Sequence, residues 1–145
     1  MDSTASEALA AFNNGLNCAQ TVLSAYCEKY GMDKETAYKI AGGLGGGFRS
    51  GEICGAVSGA VLVIGLKYGQ NIPEDKLAKA ECYVKTEEFI DAFRQMNGSA
   101  ICRELLGCDI STSGGRDIAM EKDLFNTVCA DLVKNAILLL EDLGY

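Results

Sequence analysis

Gly51-Glu52-Ile53-Cys54-Gly55-Ala56-Val57-Ser58-Gly59-Ala60-Val61-Leu62-Val63-Ile64-Gly65-Leu66-Lys67-Tyr68 reads as a helix that is apolar on every side, the mark of an element surrounded by others. Its apolar run, Ile53 to Leu66, is 14 residues long and carries three glycines. That is too short to span a bilayer and suits a buried core helix. Apolar residues elsewhere recur at three-and-four spacing, and the chain of 145 residues has one proline, which predicts helices rather than strands. The expected fold is all-α, a compact bundle of five or six helices around the central helix at about 51–68, in a single domain over 1–145.

Before the central helix, Leu16, Ala19, Leu23, Tyr26 and Tyr30 form a stripe on a helix that Gly31 should end, and Asp33 caps a short helix running to about Ala41. After it, Pro73-Glu74-Asp75 opens a helix whose face carries Cys82, Thr86, Phe89, Phe93 and Met96 up to Gly98. Ser99 caps a short helix closed by Gly107, Ser111 to Gly115 reads as a loop, and a long C-terminal helix carries Ile118, Phe125, Cys129, Leu132, Ala136, Leu139 and Leu143. Tyr26, Tyr30 and Tyr38 are expected to be packing residues with solvated hydroxyls. Gly55, Ala56, Gly59 and Ala60 lie at four-residue spacing, which admits a close helix neighbour. That neighbour is either in the same chain or in a second copy, so a homodimer stays open.

Six glycines fall between positions 42 and 51, just before the central helix. Such a concentration is entropically costly and implies positive φ angles or a close backbone approach. With Ser50 as the cap, Cys54 falls in the helix's first turn, where unpaired amides and the positive dipole end favour thiolate over thiol. Phosphate is excluded as the loop's ligand. A dinucleotide fingerprint starting at Gly43 and Gly45 would need glycine where Phe48 stands, and Phe48-Arg49 replaces the Lys-Ser or Lys-Thr of a phosphate loop spaced on Gly42 and Gly47. Arg49 is then expected to be solvated, with an anion near the loop as the alternative.

The 13 Lys+Arg against 20 Asp+Glu give a net charge of -7 and argue against nucleic acid, which needs a basic face. Met1-Asp2-Ser3-Thr4 has none of the features of a secretory leader, and no stretch suits membrane insertion, so a cytoplasmic, reducing location is expected. Seven cysteines there need a reason other than extracellular stapling. The chain has no histidine, so a soft-metal site would have to be rich in cysteine.

A single free cysteine often serves only as a small buried hydrophobe. Cys82, on the stripe with Phe89 and Phe93, fits that role. Cys27 is nine residues beyond Cys18, about half a turn away on one helix, so the two face opposite sides. Cys108 meets Cys102 only if the chain folds back after Gly107. Cys18, Cys54 and Cys102 each follow a cap (Asn14 or Asn17, Ser50, and Ser99), a placement that suits metal binding and redox chemistry alike. Cys129 is expected mid-helix on an apolar stripe.

Asn17-Cys18-Ala19-Gln20, Cys54-Gly55-Ala56-Val57-Ser58-Gly59-Ala60, Cys102-Arg103-Glu104-Leu105-Leu106-Gly107 and Cys129 together resemble the redox-active family named for its pattern C-GCAxxG-C-C, over nearly the whole chain. The family is small and bacterial or archaeal, its members often accompany transporter genes, and a related domain lies beside an iron-containing centre in split-Soret cytochromes. The resemblance adds Cys129 to the other three and leaves Cys27, Cys82 and Cys108 outside the pattern.

Three readings follow. In the first, Cys18, Cys54, Cys102 and Cys129 ligate an iron-sulfur cluster, of the [2Fe-2S] type, for electron transfer to an unidentified redox partner. Gly45, Gly46, Gly47 and Gly55 then bring backbone up to the cofactor. The ligands lack the Cys-x-x-Cys spacing of ferredoxins and zinc ribbons. The second is metal-free thiol-disulfide exchange, with Cys54 as a low-pKa attacker and Cys18 as its partner thiol. The third is a non-catalytic helical module that binds a partner or a small molecule in a transporter system.

Overall fold

The computed structural model describes residues 3–145; Met1 and Asp2, part of the polar start read above, lie outside the described residues. The described chain is all-α: α1 (Ser3–Asn13), α2 (Cys18–Tyr26), α3 (Lys34–Ile40), α4 (Gly55–Tyr68), α5 (Lys76–Asn97), α6 (Cys102–Leu106), α7 (Ser113–Glu121) and α8 (Val128–Asp142). The expected central helix is α4. It packs against α2, α5 and α8, and Ala56, Val57, Ala60, Val63 and Ile64 are fully buried. Among the described residues no helix is long and apolar enough to cross a membrane.

The small-residue seam on α4 is filled from within the chain. A Cβ at Gly59 would lie 2.7 Å from the Ala19 carbonyl oxygen, and one at Gly55 would lie 3.1 Å from the Cys18 Cβ. Only glycine lets α2 come this close, so the seam's neighbour is α2 and the feature does not call for a second copy.

Several boundaries differ from the sequence expectation. A helix at the N-terminus, α1, was not anticipated, although Ala5, Ala8 and Phe12 fall at helical spacing and the two alanines are buried. Leu16 precedes α2, which passes at Cys27 into a 3₁₀ turn ending at Gly31, where φ is 89°. Asp33 caps α3 as expected, accepting from the Thr36 amide. Pro73 and Glu74 lie outside α5, whose cap is Asp75. On α5, Phe89 and Phe93 are buried while Met96 is exposed. Tyr26 does not have a solvated hydroxyl: it is buried, and its OH donates to the Glu141 carboxylate.

The expected long C-terminal helix is two helices. Ser113 to Gly115 belong to α7, with Thr112 as the cap, and the chain turns between Glu121 and Val128 through Asp123 at a φ of 56°. Gly115 explains why α7 can start there, since a Cβ at that position would overlap the Asp109 carbonyl. Ile118, expected on the buried stripe, is exposed, whereas Leu132, Ala136 and Leu139 on α8 are buried as expected.

Candidate functional site

Splitting the C-terminal helix changes the position of Cys129. It is the second residue of α8, not a mid-helix residue. Cys18 is the first residue of α2, Cys54 is the N-cap of α4, and Cys102 is the first residue of α6. Each of the four cysteines therefore stands at the start of a different helix. All four line one cavity of about 550 Å³, together with Phe12, Leu16, Leu105, Ile110, Phe125 and Leu132.

The cavity wall is assembled by local rules that differ from cysteine to cysteine. Asn17 forms a reciprocal capping box with Gln20, so Cys18 begins α2 with its turn fixed. The Asn17 side-chain amide also donates to the Ala41 and Gly42 carbonyls, tying the glycine loop to α2. Ser50 does not cap α4. Its hydroxyl bonds the Phe48 carbonyl, because the chain from Gly46 to Arg49 makes a left-handed turn, with φ between 57° and 66°. Gly47 is obligatory there, since a Cβ would sit 2.4 Å from the Glu52 nitrogen. Phe48 and Arg49 hold the same conformation at a cost of about 1–2 kcal/mol each.

Past this turn, Cys54 and Cys102 are set by a single antiparallel bridge between Ile53 and Ile101. The Cys54 amide donates to Ala100, and the Cys102 amide donates to Glu52. Cys54 and Cys102 are thus diagonal neighbours on one side of the bridge. Ile101, not Ser99, is the N-cap of α6, and the Ser99 hydroxyl instead accepts from the Ile101 amide. Arg103 clamps the assembly by pairing with Glu52 at 2.7 Å and donating to the Gly51 carbonyl at 3.1 Å.

Of the glycines expected to face a cofactor, Gly45, Gly46 and Gly55 line the cavity, joined by Gly42. Gly47 is buried in the left-handed turn and is not part of the lining. Arg49 lines the cavity with an exposed side chain, and among the described residues the lining contains no carboxylate, in a chain with 20 acidic residues. Phe12, Leu105, Ile110 and Asn126 were missed from sequence. Phe12 carried a readable signal, its spacing from Ala5 and Ala8.

All seven cysteines are free thiols. Burial pushes the Cys54 thiol up to about 11, against the opposing pull of the Ala56 and Val57 amides at the start of α4. Burial likewise pushes Cys102 up to about 12, with nearby Cys54 and Cys129 adding to the rise. The expected low-pKa attacker at Cys54 is therefore corrected: loss of water outweighs the helix-start amides. Cys18 and Cys129 act on each other directly, thiol to thiol, which raises Cys18 and lowers Cys129. Among the described residues no three Cys, Asp or Glu side chains are grouped tightly enough to hold a single metal ion.

The cysteines outside the cavity behave differently. Cys27 is fully buried and its thiol bonds the Ser24 carbonyl. Cys82 is partly buried against the main core, and Cys108 packs beside the smaller cluster that contains Cys102 and Cys129.

Residues 16–143 match the family described as "Putative redox-active protein (C_GCAxxG_C_C)". The chain belongs to this family. The match spans α2 to α8 and includes all four cavity cysteines. No curated protein and no solved structure matches the chain.

Proposed function

We propose that this member of the C_GCAxxG_C_C family is an electron-transfer protein that holds an iron-sulfur cluster of the [2Fe-2S] type on Cys18, Cys54, Cys102 and Cys129. The observation that carries the proposal is the convergence of four helix starts, each bringing one cysteine to one cavity. Helix N-termini favour negative charge, and four thiolates are the usual ligand count of such a cluster. With no histidine in the chain and no carboxylate among the described residues of the lining, the thiols are the donors there that can carry negative charge.

The donor set fits a cluster better than one ion. No three of the thiols are gathered around a common point, and Cys54 and Cys102 are held apart by the bridge geometry. Cys18, Cys54, Cys102 and Cys129 would hold the cluster, which would share four thiolates among more than one iron. When bound, the cluster supplies a one-electron centre. The chain's part is to release the thiol protons, which burial otherwise holds on Cys54 and Cys102, and to keep water out with Phe12, Leu105, Leu106 and Ile110. Gly45, Gly46 and Gly55 form backbone stretches of the cavity wall, where a Cβ would crowd Asn17, Ile110 and Cys18 respectively. Arg49 offers a positive charge on the wall. Electrons would pass to a separate redox partner, and the family's association with transporter genes makes a transporter system the first place to seek one.

Protein purified without oxygen should be brown, with visible absorption, iron and acid-labile sulfide. A colourless, iron-free product from such a preparation, still unable to take up iron and sulfide under reducing conditions, refutes the proposal.

A further inference from the structure

The four cavity thiols are not equivalent as disulfide partners. Cys54 and Cys102 sit diagonally across the Ile53–Ile101 bridge rather than directly opposite each other, whereas a disulfide needs its two Cα atoms within about 4.4–6.8 Å. Both are also fixed by backbone bonds to the opposing segment, Cys54 to Ala100 and Cys102 to Glu52, so closing the gap would break the bridge. Cys18 and Cys129 are arranged differently. They begin α2 and α8, which pack on one another, both line the one cavity, Cys18 packs against the apolar cluster that contains Cys129, and the two thiols are near enough to shift each other's titration. No backbone bridge like that between Ile53 and Ile101 joins these two, and both thiols line the cavity, Cys18 being the less buried of the pair.

We infer that in the metal-free protein Cys18 and Cys129 form a reversible disulfide that withholds two of the four ligands, while Cys54 and Cys102 stay as free thiols. The reaction with a low-molecular-weight disulfide such as oxidised glutathione balances in two exchanges. One cysteine thiolate attacks the glutathione disulfide, forming a mixed disulfide and releasing one glutathione thiolate. The second cysteine thiolate then attacks the protein-bound sulfur, closing the Cys18–Cys129 bond and releasing the second glutathione. The two protons lost by the cysteines are taken up by the two glutathione thiolates, and reduction by a dithiol reverses both steps. The consequence is a lock: an oxidised chain has to be reduced before it can be loaded. That consequence rests on the cluster reading, whereas the disulfide does not.

The test uses the chain of 145 residues, stripped of iron by a chelator, equilibrated with oxidised glutathione, alkylated and digested with trypsin. The expected product is the peptide 1–29 joined to the peptide 123–134. The joined pair should persist in Cys27→Ala, which removes the other cysteine of the first peptide, and in Cys54→Ser. It should be lost in Cys129→Ser, with circular dichroism showing that this variant keeps its helices. Alkylated Cys18 and Cys129 in the oxidised wild type, or a disulfide joining Cys54 to another cysteine, overturns the inference. Oxidised chain should then take up at least tenfold less iron than reduced chain, and equal uptake by a chain shown to carry the disulfide overturns the lock. If even the reduced chain takes up no iron, the cluster reading fails and the disulfide result stands.

Discussion

At its N-terminal end α4 brings Gly55 and Gly59 against Cys18 and Ala19 of α2, whereas its C-terminal half fills the core with Val63 and Ile64 and sets Tyr68 edge-on to Tyr145. One apolar helix thus does two jobs. Where it is small, backbones approach closely and the cavity opens beside them. Where it is bulky, side chains interlock and supply stability. The difference teaches that apolar character along a helix does not say whether a given turn packs or makes room, and that the two ends should respond to substitution in different ways.

The largest expected effect lies at the bulky end. Ile64→Ala removes a fully buried side chain and should cost about 4 kcal/mol in denaturant unfolding, while the folded protein keeps its iron content. Loss of iron from folded Ile64→Ala would show that the ends are not separable. At the small end, Gly59→Ala drives a methyl into the Ala19 backbone and should cost about 2 kcal/mol. Because the strain moves α2, this variant should also lose iron, the reverse of the Ile64→Ala pattern.

A smaller effect is expected from Asn17→Ala. Losing the capping box should lower stability by about 1 kcal/mol, and losing the bonds to Ala41 and Gly42 should speed the release of iron to a chelator. The smallest effect at neutral pH is electrostatic. Burial raises the folded pKa of Cys54 to about 11 and of Cys102 to about 12. Unfolded thiols, with an ordinary value of 9.0, release their protons first, so alkali favours the unfolded chain. In metal-free protein Cys54 and Cys102 should contribute no pH dependence well below pH 9, and should lower the thermal midpoint from there upward. Cys54→Ser should flatten part of that fall, and an unchanged slope would contradict the assignment.

Much of this comparison was legible in the sequence. The all-round apolar pattern of residues 51–68 identified the central helix, and the glycines at 55 and 59 announced a close neighbour, because both signals are local and periodic. The Cys-Gly-Ala-x-x-Gly and Cys-Arg-Glu-Leu-Leu-Gly segments identified the family that residues 16–143 match. The start of Cys54's helix was misplaced because the glycine run signals positive φ without showing that Phe48 and Arg49 share it; backbone bonds from Phe48 to Leu44 and from Glu52 to Gly47, with the clamp of Arg103 on Glu52 and Gly51, hold the turn. Cys129 was misread as mid-helix because the apolar stripe continues through the break between α7 and α8, and Asp123 at positive φ is invisible to periodicity. The raised pKa of Cys54 was missed for a similar reason: a helix start is visible in sequence, but the depth of burial around it is not.

The central claim is that the four cysteines at helix starts form one iron-sulfur site and that the other three do not take part. Iron and acid-labile sulfide per chain, measured in anaerobically purified wild type and in the seven single Cys→Ser variants, test it most directly. Equal iron and sulfide in the wild type, retained in Cys27→Ser, Cys82→Ser and Cys108→Ser but severely reduced in Cys18→Ser, Cys54→Ser, Cys102→Ser and Cys129→Ser, is the predicted result. Iron and sulfide absent from the wild type, or unaffected by the loss of any cavity cysteine, would contradict it.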